Sequence, residues 1–248
     1  AQKSILVISE ELKKNNFKVT EINQSINFKD SVVFKNVSFK YDLRDNYVLK
    51  NINFRLKKPD KVLLYGETGV GKSTFIELLL GLLKPTNGSV EVENRDINLN
   101  FKEWTKNIGY IPQKVTLIDG SLLSNIAFGI DKKNIDHQLL KESIDLAEIE
   151  TFISQLPNGL ETNVGEFGSK LSGGQIQRIG IARAIYRNPE ILILDEATNA
   201  LDEITEQKVI TKILKKFDNK ILICISHNKH LLGKIHKKYK IESAQLVS

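Results

Sequence analysis

The segment GETGVGKST sets Gly66 and Gly71 on either side of four residues and follows them with Lys72 and the hydroxyls of Ser73 and Thr74. Glycine reaches backbone conformations closed to other residues, so such a loop can wrap an anion and turn its amide N–H groups inward. The run KVLLY before it reads as an apolar strand, and STFIELLLGLL after it as a helix whose N-terminus adds positive potential. With Gly66, Glu67, Thr68, Gly69, Val70 and Gly71 as a cradle, Lys72 would reach the β- and γ-phosphates of a nucleotide and Ser73 would ligate Mg²⁺. The plainer alternative is an incidental glycine turn between a strand and a helix.

A second segment, ILILDE, runs four apolar residues of a buried strand to Asp195 and Glu196 at its end, where ligands gather in open parallel sheets. Asp195 suits the shell of Mg²⁺, and Glu196 suits orienting and deprotonating an attacking water. Alone, a carboxylate pair at a strand end is a turn or helix cap. Beside the glycine loop it reads as the rest of a hydrolytic site. A third segment, TNVGEFGSKLSGGQ from Thr162 to Gln175, is again rich in glycine and serine yet lacks the usual lysine of a phosphate loop.

These residues need a frame. SVVFKNVSFKY and VLKNINFRL alternate and carry β-branched residues, which predicts antiparallel strands near an edge. HQLLKESIDLAEI and IETFISQLP space their apolar residues by three and four, which predicts helices before the third segment. Past it, GGQIQRIGIARAIYRN predicts a helix, EILILDEA a buried strand, EQKVITKILKKF a helix and KILICISH a strand. Strands alternating with helices predict a mainly parallel sheet covered on both faces. Residues 1 to about 30, with SILVISEELKK as a short helix and a polar stretch after it, read as a linker.

The 248 residues suffice for a sizeable core, and 41% hydrophobic with 27% charged residues is ordinary for a globular protein. No apolar run approaches the roughly 20 residues of a membrane-spanning helix. A formal charge of +6 admits a nucleic-acid or anionic-membrane surface. Basic and acidic residues alternate along most of the chain, however, and only HNKHLLGKIHKKYK is strongly basic. Cys224, the single cysteine, excludes an internal disulfide and lies in ILICIS, a buried strand position rather than a reactive thiol. No signal-peptide pattern opens the chain. The absence of methionine fits removal of an initiator and excision from a longer chain equally well.

With LSGGQ at Leu171 to Gln175, the motifs stand in the order of the ATP-binding cassette of ABC transporters, which the chain resembles from about residue 31 to 235. The resemblance implies an α/β fold: a P-loop NTPase (RecA-like) core with an antiparallel β subdomain and an inserted α-helical subdomain. Residues 31–112 and 176–248 would form the core and β subdomain, and 113–175 the helical subdomain with the signature motif. It implies ATP and Mg²⁺ as ligands. It also implies two copies packed head to tail, the signature of one capping the ATP held by the glycine loop of the other, which explains the missing lysine. Ser172, the amides of Gly173 and Gly174, and Gln175 of the same motif would lie across that interface. Tyr41 falls where an aromatic stacks on adenine, and Gln113 where a glutamine contacts Mg²⁺ and leads to the helical subdomain. Asp202 falls in the loop that communicates between cassettes, and His227 where a histidine contacts the γ-phosphate. His137, His230 and His236 match nothing.

The T-x-V-G-E-x-G segment, with IDGSLLSNIAFG and LPNGLET, is similar to the exporter form, in which this region lies beside the membrane domains. The resemblance then implies the excised C-terminal part of a half-transporter that works as a homodimer at the cytoplasmic face of a bacterial inner membrane. Its cargo lies beyond the sequence, with a slight lean to lipids or lipid-linked glycans. The alternative is a soluble ATPase of the same family acting on nucleic acid or ribosomes. Such proteins carry two cassettes or a long coiled coil, and the sequence shows neither. Four positions depart from the pattern: Pro59, Asn199 in place of serine, Asn228, and an ending, YKIESAQLVS, without the usual hairpin glycine.

Overall fold

The structure, a computed structural model, describes residues 28–42, 45–226, 233, 235 and 237–247. His227 and the expected N-terminal helix lie outside the described residues. Two sheets organise the rest. The smaller has the order β2-β1-β4-β5, all antiparallel, from β1 (Ser31–Phe39), β2 (Leu49–Lys57), β4 (Asn87–Val92) and β5 (Arg95–Asp96). The larger has the order β10-β9-β3-β8-β7-β6. Its strands β3 (Lys61–Tyr65), β6 (Ile108–Ile111), β7 (Ile191–Asp195), β8 (Ile221–Ile225) and β9 (Lys237–Glu242) run parallel, and β10 (Gln245–Val247) folds back antiparallel on β9.

Alternation along the central strands divides the interior. Leu63, Leu192, Leu194, Leu222 and Cys224 face one core, with Ile179 and Ile181 of helix α6 (Gly173–Tyr186) and Val209 and Ile213 of α7 (Glu203–Lys216). Val62, Leu64, Ile191, Ile193, Ile221 and Ile223 face the other, with Phe75, Ile76, Leu78 and Leu79 of α1 (Lys72–Leu80). Strands buried on both faces need such continuous apolar runs, which is why ILILD and ILICI show no polar alternation. The small sheet rests on α1 through Phe34, whose ring stacks on Phe75 at 4.7 Å. Helix α1 ends at Gly81, whose φ of 75° lets its N–H turn back to Glu77 O and Leu78 O.

The helical lobe holds α3 (Leu122–Ile126), α4 (His137–Leu146) and α5 (Glu150–Ser154), after the short α2 (Phe101–Thr105). It is tied to α6 by Arg183, whose guanidinium donates to Asn125 O at 2.7 Å, Asn125 Oδ1 at 2.9 Å and Thr116 O at 2.9 Å. Asn125, fully buried, closes the same network through Ile118 and Ser121.

Two local features differ from the sequence expectation. Phe28, inside the stretch read as linker, is buried against Trp104 with ring centroids 6.1 Å apart, so packed structure reaches back to that residue. The glycine-free ending still forms the β9–β10 hairpin, because Ser243 and Ala244 both take left-handed conformations, φ 50° and 63°.

Candidate active site

The glycine loop joins β3 to α1. Gly66, Gly69 and Gly71 have φ of 146°, 84° and 110°, the region glycine reaches without strain. A Cβ on Gly66 would meet Ile241 O at 2.7 Å and one on Gly71 would meet Val48 Cγ1 at 3.0 Å, whereas one on Gly69 would meet nothing within 4 Å. Two glycines are therefore set by close packing behind the loop and the third by its turn alone. Lys72 Nζ donates to Gly66 O and Glu67 O, both at 2.7 Å, which brings the ammonium back over the loop's opening residues.

Asp195 ends β7 and Glu196 follows it. Tyr110 on neighbouring β6 donates its hydroxyl to Asp195 Oδ2 at 3.0 Å. Burial pushes the Asp195 carboxyl above its ordinary range, with the Glu196 charge adding and the Tyr110 bond and Lys72 opposing. Burial, then the Asp195 charge, push the Tyr110 phenol up. Glu196 has φ of 50°, unusual for a residue with a side chain, and its N–H bonds Ile225 O at 2.9 Å. Gln113 Nε2 donates to Glu196 Oε2 at 2.8 Å, and Asn199 Nδ2 to the same oxygen at 3.0 Å.

Tyr41, Thr68, Gly69, Gly71, Lys72, Ser73, Thr74, Gln113, Asp195 and Glu196 line one cleft of about 520 Å³, with Val48. Tyr41 packs its ring edge-on to Phe39 at 4.9 Å and its hydroxyl lies 3.1 Å from Thr74 Oγ1. Val70 lines an adjoining cleft that shares Val48 and Gly69. Among the described residues no group of three or more His, Cys, Asp or Glu could hold a metal. The cleft's Asp195 carboxylate, Ser73 hydroxyl and Gln113 amide are oxygen donors of the kind that suits Mg²⁺, which keeps waters and shares phosphate ligands.

Ser172 to Gln175 and Asp202 are not among the residues lining this cleft. Ser172 caps α6 in a reciprocal pair, Gln175 N–H to Ser172 Oγ at 3.3 Å and Ser172 N–H to Gln175 Oε1 at 2.8 Å. Gly173 lines a second cleft with Gln113, Phe167, Gln177 and Ala200. A Cβ on Gly174 would meet Ala200 O at 2.9 Å, so α6 packs tightly on the loop after Glu196. Asp202 caps α7 through Thr205 N–H at 2.9 Å, a bond that holds its carboxyl below the usual range. Tyr110, Asn125, Gln177, Arg183 and Asn199 were not marked by their spacing as site residues. Only Asn199 carried a signal, as a departure from the common serine.

A glycine loop between a central parallel strand and a helix, faced by two carboxylates from the next strand but one, defines a P-loop nucleotide-binding domain. The comparisons agree. The family model described as ABC transporter matches residues 49–199. A Rickettsia conorii protein whose name describes it as an export ATP-binding/permease protein is 41% identical over 199 residues, covering 79% of this chain and 34% of that protein. Multidrug resistance protein pgp-1 of Caenorhabditis elegans is 39% identical over 198 residues, 79% of this chain and 15% of its own length. The solved structure of a bacterial Atm1-family ABC exporter with ATP bound superposes with a TM-score of 0.87 at 30% identity, over 100% of this chain and 44% of that one. The chain belongs to the ABC transporter family, with the fold of an exporter's nucleotide-binding domain. It spans about a third of the length of the first curated relatives it matches.

Proposed function

We propose that the chain is the ATP-hydrolysing motor domain of an ABC exporter. The observation that carries this is the single cleft in which Lys72, Ser73, Gln113, Asp195 and Glu196 converge. The loop amides and Lys72 bind the phosphates and neutralise their charge. A magnesium ion held by Ser73, Gln113 and Asp195 would supply further neutralisation of the phosphate oxygens. Glu196 orients the attacking water and accepts its proton, and Tyr41 offers an exposed ring face to adenine. His227, on the strength of the motif order alone, contacts the γ-phosphate.

Ser172, Gly173, Gly174 and Gln175 act on the nucleotide of a second copy, with Asp202 in the loop between the two, so the working unit is a head-to-tail homodimer. Binding of ATP favours the closed pair and loss of the γ-phosphate contacts releases it. The helical lobe, residues 113–175, passes this movement to membrane domains at the cytoplasmic face. The relatives' names support export as the direction of transport. The slight lean of the motif resemblance alone points to a lipid or lipid-linked glycan as cargo. Among the described residues no helix is long and apolar enough to cross a membrane, so the path for cargo belongs to those other domains.

Sedimentation of Glu196→Gln with and without Mg-ATP tests the reading. A shift from monomer to dimer on adding Mg-ATP, abolished by Ser172→Arg, supports it. Sedimentation as a monomer in both conditions, with ATP bound, counts against the assignment of LSGGQ to a second nucleotide.

A further inference from the structure

Glu196 Oε2 receives two amide hydrogens, from Gln113 and from Asn199. An ionised carboxylate only accepts, so each carboxamide must present its NH₂ group to it. The two donors are mounted differently. Gln113 is 83 positions away and lines both the nucleotide cleft and the one beside the helical lobe. Asn199 lies three residues beyond Glu196 in the turn that Glu196 opens, its own N–H donating to Glu196 O at 3.3 Å. The turn is pinned on its far side by Ala200 N–H to Gln177 Oε1 at 2.9 Å, on the helix that Ser172 caps.

The proposed hydrolysis asks two things of Gln113: its nitrogen holds Glu196, and its oxygen serves the metal. Glu196 meanwhile sits, half-buried, on a left-handed backbone, and a carboxylate held by Gln113 alone would be released whenever Gln113 moved. Asn199 moves with Glu196 instead. A serine at this position would carry its oxygen on Cβ, one bond short of where the carboxamide nitrogen reaches.

We infer that Asn199 is a positioning residue for the ATPase reaction: it holds Glu196 through Oε2 while Gln113 turns to its other partners, leaving the second oxygen to take the proton of water. This rests on the proposed hydrolysis by the same cleft. Because Asn199 is not among the residues lining the nucleotide cleft, its loss should act on turnover and not on binding.

The test is steady-state ATP hydrolysis and fluorescent-ATP binding by the chain and its Asn199→Ala and Asn199→Asp variants. A hydrogen bond to a charged group predicts that Asn199→Ala lowers kcat about tenfold, with KM and nucleotide affinity within about twofold of wild type. Asn199→Asp, equal in shape but anionic against Glu196, should lower kcat further at an unchanged melting temperature. Full turnover by both variants, or losses of kcat that track losses of affinity and melting temperature, would overturn the inference while leaving the hydrolysis reading in place. An inactive wild-type chain that binds Mg-ATP would overturn the hydrolysis reading and the positioning role together.

Discussion

Tyr110 on β6 holds Asp195 on β7 across 85 positions of sequence, hydroxyl to Oδ2 at 3.0 Å. The bond lies beside a carboxyl that burial has already pushed above its ordinary range. A raised folded-state pKa means that the native protein holds this proton more tightly than the unfolded chain does. The associated stability is full below the unfolded value of about 3.9 and is lost as pH rises through the folded one. Ionised Asp195 therefore costs stability at neutral pH. Asp195→Asn should melt higher than wild type at pH 7, and the gain should vanish as pH falls below the unfolded value. Calorimetry across that range checks the sign.

Gly71 and Gly69 separate two costs of a side chain in the phosphate loop. Gly71→Ala adds a Cβ at 3.0 Å from Val48 Cγ1 and 3.2 Å from Val48 O on a φ of 110°. It should destabilise by about 2–4 kcal/mol, combining backbone strain and overpacking. Gly69→Ala, in open space, should cost about 1–2 kcal/mol from its φ alone. Urea titration of the two variants gives the difference.

Arg183→Lys should cost about 1–3 kcal/mol despite conserving charge, because an ammonium cannot serve Thr116 O, Asn125 O and Asn125 Oδ1 with the geometry of a planar fork. The guanidinium is itself partly desolvated, which lowers its pKa, so its three carbonyl partners are what keep it in place. Denaturant unfolding measures the loss, and hydrogen exchange at Ile118 should rise with it.

Cys224 should be inert in the native chain. Burial pushes its thiol up to about 12, and its side chain exposes no surface. A colourless-to-yellow thiol assay at pH 8 should read no reaction in buffer and one thiol per chain in denaturant.

The parts of the site legible in the sequence were those whose chemistry is local. Gly66 and Gly71 have a spacing that the backbone itself demands, and Asp195 follows a strand too apolar to be anything but central. Ser172 and Gln175 sit three apart because a helix start needs them so. Tyr110, Arg183 and Gln177 were not legible, since each acts on a group brought near only by the fold, 85, 58 and 23 positions away. A tyrosine two residues before a proline carries no mark of which carboxylate it will face. The ending carries no glycine to announce its hairpin, and Ser243 and Ala244 bear the left-handed turn without one.

That hairpin has a bearing on the opposite end of the molecule's chemistry. The Ile241 carbonyl is the wall that leaves Gly66 no room for a Cβ, and the Ala244 carbonyl takes the N–H of Lys50 at the start of β2. The last strands thus form a buttress behind the anion loop, although none of their described residues lines the nucleotide cleft. Proteolytic trimming after Lys240 would remove both carbonyls at once, and the damage would register as slackened grip on phosphate at a loop more than 170 positions upstream.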